Sequence, residues 1–248
     1  MKIGAIIQAR YGSTRLPGKV LLPLGGRSVL YHDIERVKQA ERIEKIIIAT
    51  STHKQDDKIV KEAKSLGATY FRGSEQDVLA RYYHAAKENK LDTIVRITSD
   101  CPLIDPFVVE QGISLFLEHE TTIVTNATTD VSKRTFPRGL DVEVFSFDTL
   151  EWAFQKAVKA YQREHVTPFI YESVKQVTHL FNDVDYSNYR WTLDTREDYE
   201  LITQIYDHLY KGYHNFYLSD IINLMEKYPE LKLVNAHVEQ KRICTNCG

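Results

Sequence analysis

The stretch that decides the fold is KIGAIIQARYGSTRLPGK, residues 2–19. Its first part, Lys2 to Ala9, is a short and mostly aliphatic run of the kind that forms a buried strand. Its second part, residues 10–19, is rich in Gly, Ser and Pro and carries three cationic side chains. The stretch therefore predicts a strand that ends in a cationic loop at the edge of a sheet, where α/β proteins bind ligands.

Strands and helices alternate along the rest of the first half. We predict strands at Lys45 to Thr50, Thr69 to Phe71 and Thr93 to Thr98. We predict a first helix capped by Ser28, and further helices at Gln55 to Leu66, Asp77 to Glu88 and Pro106 to Glu118. This order predicts a mostly parallel α/β sheet with helices on both faces.

The second half is less regular. We predict a half-exposed strand at Leu140 to Phe145, a helix at Glu151 to Tyr161, another helix from near Glu164, and a strand at Arg190 to Leu193. Thr195 and Asp198 resemble a capping box that opens a helix toward Tyr210. We place a main domain at residues 1–210 and a C-terminal helical appendage and tail at 211–248.

Composition excludes several classes of protein. The 248 residues suit one large domain with a small appendage, and no apolar run approaches the roughly 18 residues that span a bilayer. The apolar start is too short for a secretory signal, and 3 Cys make a disulfide framework improbable, so we expect a cytoplasmic location.

The net charge is close to neutral, with 32 Lys and Arg against 34 Asp and Glu. A global field that would attract nucleic acid or an anionic membrane is therefore absent from the sequence, and we expect neither partner. An anionic ligand must instead be held by a local group of charges.

The loop at residues 10–19 has such a group. Gly12 and Gly18 allow the backbone amides to approach an anion closely, while Arg10, Arg15 and Lys19 supply positive charge that suits a polyphosphate. The spacing between the glycines is too long for a Walker A loop, and the GxGxxG pattern is missing. Alternatively, the loop is a solvated basic surface whose glycines only turn the chain.

Two aspartates follow predicted strands at the same edge of the sheet. Asp100 comes after Thr93 to Thr98 and Asp194 after Arg190 to Leu193, and two carboxylates with substrate phosphates are enough to hold Mg²⁺. Alternatively, Asp100 is a turn residue and Asp194 a partner at a helix start. Asp105, by contrast, is explained as an N-cap before Pro106.

Five motifs resemble one enzyme family. They are IIQAR with PGKVL (residues 6–10 and 17–21), TSDCPLID (98–105), RGLDVE (138–143), EHVTP (164–168) and LDTRED (193–198). In order and content they resemble the cytidylyltransferases that activate acylneuraminate and 3-deoxy-manno-octulosonate as CMP-sugars, and most of all their SpsF-type branch, named for spore-coat polysaccharide biosynthesis. Those two groups usually carry Pro where this chain has Gln8, which leaves the acceptor sugar open.

The resemblance implies a Rossmann-like three-layer fold of the nucleotide-diphospho-sugar transferase (GT-A-like) type. It also implies transfer of CMP from CTP to the hydroxyl of an acidic sugar, with release of pyrophosphate, for surface polysaccharide biosynthesis. Mg²⁺ would be bound by Asp100 and Asp194, and the enzyme would be a homodimer.

Candidate site residues follow from the loop, the carboxylates and the resemblance. The candidate nucleotide-binding residues are Ala9, Arg10, Gly12, Ser13, Thr14, Arg15, Lys19, Arg72, Ser74 and Asp100, of which Arg10, Arg15, Lys19 and Asp100 are also the catalytic candidates. The candidate acceptor-binding residues are Arg138, Asp141, Glu143 and His165. Ser74 could instead cap a helix, Asp141 and Glu143 could lie on a solvated strand face, and His165 could be a structural histidine.

Two other functions remain open on sequence alone. A glycosyltransferase that uses a nucleotide-sugar donor could hold its metal on Asp183 and Asp185, which form a DxD pair. A non-catalytic nucleotide-binding module is the other alternative. Cys244 and Cys247 form a terminal CxxC, which supplies only two of the four ligands of a zinc site and is better explained as a frayed tail.

Overall fold

The inner strands of the central sheet are rich in aliphatic residues and mostly buried on both faces, whereas its two edge strands are half-buried. A computed structural model describes residues 1–127, 133–174 and 176–240. The strands are β1 (Ile3–Gln8), β2 (Pro23–Leu24), β3 (Arg27–Ser28), β4 (Lys45–Ser51), β5 (Thr69–Gly73), β6 (Thr93–Thr98), β7 (Ile123–Thr125), β8 (Glu143–Ser146) and β9 (Val177–His179). The helices are α1 (Val29–Val37), α2 (Asp57–Ser65), α3 (Val78–Glu88), α4 (Pro106–Glu118), α5 (Phe147–Lys156), α6 (Ala160–His165), α7 (Pro168–Ser173), α8 (Arg196–Leu209) and α9 (Leu218–Lys227).

Seven strands form the main sheet in the order β5-β4-β1-β6-β8-β7-β9, and β2 and β3 form a separate hairpin. All neighbours in the main sheet pair in parallel except β8, which is antiparallel to both β6 and β7. The predicted mostly parallel α/β fold is confirmed. Because β1 lies between β4 and β6, its carboxyl end and the loop that follows it lie at the centre of the sheet edge.

Helices pack on both faces of this sheet and form two hydrophobic clusters. One cluster joins α1, α4, α8 and α9 to one face, and the other joins α3, α5 and α7 to the opposite face. The predicted N-caps are confirmed: Ser28 accepts a hydrogen bond from the Tyr31 amide, and Asp105 accepts one from the Phe107 amide. Thr195 and Asp198 form the predicted capping box at the start of α8.

Three local predictions in the second half are wrong. The strand predicted as half-exposed is β8, which is buried because it lies inside the sheet between β6 and β7. Residues 151–161 are not one helix, since α5 ends at Lys156 and the Gln162 side chain accepts from the Val158 and Lys159 amides to begin α6. Residues 190–193 form no ladder and make only an isolated parallel bridge, between Arg138 and Arg190.

The C-terminal segment packs onto the same core as the sheet. Phe216, Ile221, Met225 and Leu231 belong to the cluster that also contains Trp191. The boundary at residue 210 stays a prediction. No helix in the described part of the chain is long and apolar enough to cross a membrane, and the CxxC at 244–247 lies outside the described residues.

Candidate active site

The cationic loop after β1 is closed on itself by its backbone. The Tyr11 carbonyl accepts hydrogen bonds from the amides of Ser13 (2.9 Å) and Gly18 (2.8 Å). Gly18 has φ +72°, and a Cβ there would lie 2.9 Å from the Tyr11 ring. This turn starts a short 3-10 helix at Lys19 and directs the Lys19 side chain toward the sheet edge.

Lys19 joins the two candidate metal ligands. Its Nζ donates to Asp100 Oδ2 and to Asp194 Oδ1, both at 2.8 Å, and only 9% of the residue is exposed. Burial alone would lower the pKa of Lys19, but the two carboxylates outweigh it and raise the pKa above its usual value. The structure thus brings together three residues that the sequence places 81 and 175 positions apart.

Asp100 is held by the end of β6 and by the segment before α8. Thr98 Oγ1 donates to Asp100 Oδ1 at 2.5 Å, and the Leu193 amide donates to the Asp100 carbonyl at 2.8 Å. Burial tends to raise the Asp100 pKa, but the Lys19 ammonium lowers it to about 2. Asp100 is therefore a carboxylate at neutral pH. The predicted strand is absent at 190–193, yet this backbone contact still sets Asp194 beside Asp100.

Asp194 is oriented by two arginines. Its Oδ2 accepts from Arg15 at 2.8 Å and from Arg190 at 3.1 Å. Arg190 also forms a fork-like pair with the fully buried Asp198, with both contacts at 2.9 Å, and Asp198 accepts from the Asp194 amide at 3.0 Å. Sequence reasoning did not identify Arg190. Its position four residues before Asp194 and eight before the capping residue Asp198 is the only signal that could have pointed to it.

The other loop candidates lie on the open side of the site. Arg10 and Thr14 are exposed, Gly12 and Ser13 are half-buried, and Ala9 is buried with its amide bonded to the Ala49 carbonyl. Within the described ranges, no hydrogen bond or ion pair engages the Arg10 guanidinium. The exposed Arg10 guanidinium is therefore available to a ligand.

The loop after β5, the predicted base-binding region, is held by the protein's own contacts. The Arg72 guanidinium donates to the Ser51 carbonyl, the His53 carbonyl and Asp57. Ser74 Oγ accepts from the Asp77 amide at 3.0 Å in the turn before α3. The alternative that Ser74 caps the helix is wrong, because Asp77 is the N-cap and accepts from the Ala80 amide at 2.9 Å. The contacts of Arg72 and Ser74 order the loop, and a role for these two residues toward a base stays a prediction.

The acceptor candidates Asp141 and Glu143 differ in their position and in their ion-pair partners. Glu143 is 3% exposed and accepts from Arg96 and from Tyr171 (2.5 Å), so the solvated-strand alternative is wrong for Glu143. Asp141 precedes β8 and pairs with Arg134. The two carboxylates are therefore not neighbours on one strand.

The two remaining acceptor candidates are Arg138 and His165. Arg138 lies beside Arg190 through their backbone bridge. His165 is the last residue of α6 and is half-buried. Their predicted contacts with an acceptor are not tested by these positions.

The DxD pair that would serve a glycosyltransferase lies on a surface turn. Asp183 and Asp185 are both exposed, and Asp185 accepts from the Ser187 amide at 2.8 Å. Neither carboxylate contacts Lys19, Asp100 or Asp194 among the described residues.

The donor set at Lys19 fits a magnesium ion that is bound with its substrate. Asp100 and Asp194 converge on one cationic group, so they are close enough to share one cation. No cluster of three or more His, Cys, Asp or Glu residues in the described ranges could hold a metal without help. Mg²⁺ commonly takes one or two carboxylates and completes its octahedron with phosphates and water, which matches this pair.

Comparisons with known proteins agree with this geometry. The family model described as "Cytidylyltransferase" matches residues 4–245. An uncharacterized protein of Methanocaldococcus jannaschii is 40% identical, over 97% of this chain and 97% of its own length. The spore coat polysaccharide biosynthesis protein SpsF of Bacillus subtilis is 33% identical, over 91% of this chain and 94% of its own.

A solved structure supports the same assignment. The structure of a cytidylyltransferase from Leptospira borgpetersenii is similar to this chain with a TM-score of 0.88 and 36% sequence identity, covering 98% of this chain and all of that one. The range matched by the family model includes both the cationic loop and the two aspartates that meet at Lys19. With its sheet, its loop and its relatives in agreement, this chain belongs to the cytidylyltransferase family and is an enzyme that uses CTP.

Proposed function

We propose that this cytidylyltransferase transfers CMP from CTP to a hydroxyl group of an acidic sugar, of the nonulosonic or octulosonic type, for surface polysaccharide biosynthesis. The observation that supports it most is the cluster in which Lys19 bridges Asp100 and Asp194 beneath a loop that carries Arg10 and Arg15. In this cluster, positive charge that can bind phosphates lies next to carboxylates that can bind a metal.

In the proposed reaction, the sugar oxygen attacks the α-phosphorus of CTP in line with the leaving group. The bond from the sugar oxygen to phosphorus forms, the bond from phosphorus to the bridging oxygen breaks, and pyrophosphate leaves with the electron pair. The hydroxyl proton is released to solvent. Lys19, Arg10 and Arg15, with the amides of Gly12 to Thr14, would hold the departing pyrophosphate and stabilise its growing charge.

Asp100 and Asp194 would hold Mg²⁺, which would polarise the α-phosphate and lower the pKa of the attacking hydroxyl. The environment of Asp100 supports this role because the lowered pKa keeps it ionised at neutral pH. Arg190 and Asp198 would orient Asp194 from behind.

The acidic nature of the acceptor is supported by the charge around Arg138. Arg134 and Arg190 are buried and paired with Asp141 and Asp198, whereas the nearby half-buried Arg138 guanidinium has no carboxylate within 4 Å in the described ranges and could meet an anionic group of the acceptor. The sequence motifs shared with enzymes for acylneuraminate and octulosonate point the same way. A homodimer and a cytoplasmic location stay predictions.

A matrix of nucleotides and acceptors tests this function. The purified full chain is incubated with Mg²⁺, each of CTP, UTP, ATP and GTP, and a panel of sugar acids with their neutral counterparts. We expect pyrophosphate and CMP-sugar in equal amounts with CTP and a sugar acid only. A preference for UTP or ATP, or CTP use with neutral sugars only, would contradict the proposal.

The same assay separates the alternatives. Transfer from a ready-made nucleotide sugar without pyrophosphate would identify a glycosyltransferase. Binding of CTP without turnover on any sugar acid would identify a non-catalytic module.

A further inference from the structure

A cavity of about 250 Å³ with both polar and apolar lining lies next to Arg190, between the turn at residues 187–190 and the C-terminal segment at 232–240. Leu201 and Met225 form part of its apolar lining. Arg138, Arg190 and Lys232 bring three cationic side chains to it. No candidate residue except Arg138 was assigned to this place from sequence.

The charge of Arg190 is already balanced within the protein. Its guanidinium is paired with the fully buried Asp198 and reaches Asp194, and its Nη1 donates to Gln240 Oε1 at 2.5 Å. Both carboxylates are therefore engaged by Arg190. They are not free to neutralise a second cation.

Arg138 has no such partner. Its backbone is fixed on both sides, because its amide donates to the Tyr189 carbonyl (3.0 Å) and its carbonyl accepts from the Trp191 amide (2.7 Å). Across residues 1–127, 133–174 and 176–240, no carboxylate lies within 4 Å of its guanidinium and no hydrogen bond engages it. The nearby Asp141 is paired with Arg134. Burial lowers the Arg138 pKa, and the charges of Arg134 and Arg190 lower it further.

Lys232, an exposed residue of the C-terminal segment, also lines the cavity. Its ammonium lies 4.6 Å from the centre of the Tyr189 ring, which is itself 6% exposed. In the described part of the chain, this ammonium has no carboxylate within 4 Å. Two cations thus border one cavity without a counterion, an arrangement that favours an anionic guest.

We propose that this cavity binds a small oxyanion, a carboxylate or phosphate group, between Arg138 and Lys232. The guanidinium would supply paired N–H donors in a plane, and the ammonium would supply a point charge. Because Arg190 lines the cavity and also contacts Asp194, a bound anion would share this arginine with a candidate metal ligand. Its source could be a free anion or the carboxylate of the acceptor, and the second case rests on the proposed function.

Anomalous scattering from selenate locates the site without turnover. Crystals of the full chain, free of nucleotide, are soaked in selenate, and we expect a selenium peak between Arg138 and Lys232. The peak should vanish in Arg138→Gln and persist in Arg138→Lys, which keeps the charge. Lys227→Gln on α9, outside the cavity, is the matched control and should keep the peak.

Calorimetry in solution provides the second measurement. We expect Arg138→Gln to weaken selenate binding at this site by about tenfold, the effect of losing one charge-assisted hydrogen bond. Selenium peaks confined to the loop at residues 10–19, or an unchanged titration in Arg138→Gln, would overturn the proposal. This result is independent of pyrophosphate release, so the site and the proposed reaction can fail separately.

Competition then distinguishes the two sources. If a sugar acid that is an acceptor displaces selenate and its carboxamide analogue does not, the site holds the acceptor carboxylate. If inorganic phosphate displaces selenate and no sugar acid does, the site holds a free anion. Either result supports an oxyanion site.

Discussion

The ammonium of Lys19 lies 2.8 Å from a carboxylate oxygen of Asp194, 175 residues later in the chain. Lys19 makes an equal contact with Asp100, so one buried cation occupies the place where the two carboxylates converge. The position that would hold a divalent cation during the reaction is filled by a side chain of the protein. In the proposed reaction, a metal bound between the two carboxylates would displace the Lys19 ammonium from this contact.

Removing Asp100 should abolish most of the activity without unfolding the protein. We expect Asp100→Asn to lower the rate of CTP-dependent pyrophosphate release by about two to four orders of magnitude, since one electrostatic stabiliser of the transition state is lost. Asp183→Asn is the matched control, because Asp183 is exposed and outside the cluster. Near-normal turnover in Asp100→Asn would show that Asp100 has no metal role.

Removing Lys19 should expose the carboxylates to metal. In the wild-type protein without nucleotide, Lys19 competes for Asp100 and Asp194, so we expect little Mn²⁺ binding by electron paramagnetic resonance. Lys19→Gln should bind Mn²⁺ more tightly in the absence of CTP, by roughly tenfold or more, because a neutral amide no longer neutralises the pair. Equal Mn²⁺ binding in the two proteins would mean that Lys19 does not compete with the metal.

Gly139 should be intolerant of a side chain for steric reasons. Its φ is +101°, and an added Cβ would lie 2.5 Å from the Trp191 carbonyl carbon, in the segment that leads to Asp194. We expect Gly139→Ala to reduce the free energy of unfolding by roughly 2–4 kcal/mol in urea titrations. Gly212→Ala, at φ +93° in open space, should cost only about 1–2 kcal/mol. Equal losses would rule out the clash with the segment before Asp194.

Stability should fall in mild acid through a buried pair of histidines. His32 Nδ1 lies 2.7 Å from His214 Nε2, and His32 Nε2 lies 2.6 Å from the Leu24 carbonyl. Burial lowers the pKa of His32 to about 4 and that of His214 to about 3, from an ordinary value of 6.5. The folded protein therefore binds fewer protons than the unfolded chain between pH 6.5 and these values.

Because the unfolded state gains protons first, the free energy of unfolding should decrease as pH falls below 6.5, with a slope approaching about 1.4 kcal/mol per pH unit for each histidine. Urea titrations at pH 7, 6 and 5 measure this slope. His214→Gln should flatten the slope, whereas His84→Gln, at an exposed position on α3, should leave it unchanged. An unaltered slope in His214→Gln would show that other groups cause the acid sensitivity.

Elements with strong local signals could be predicted from the sequence. The strand at 93–98 and the helix at 106–118 have the predicted bounds, because a run of β-branched residues specifies the strand and Asp105 with Pro106 specifies the helix start. The break between α5 and α6 could not be predicted, because the apolar periodicity indicates one continuous helix there. The Val158 and Lys159 amides instead donate to the Gln162 side chain, and these contacts begin α6. The burial of β8 could not be predicted either, since its alternating pattern does not reveal the strands on each side.

The sequence by itself determined the cationic loop, the two aspartates and the alternation of strands and helices in the first half, because these depend on short-range patterns and on motifs. Only the tertiary structure decided that Lys19 neutralises both aspartates, that Arg190 and Asp198 hold Asp194, and that Glu143 is buried with Arg96. Each of these contacts joins residues whose distance depends on strand order and on backbone bonds between distant segments. Hydrogen bonds from the Leu193 amide and the Thr192 hydroxyl to the Asp100 carbonyl hold the second carboxylate beside the first.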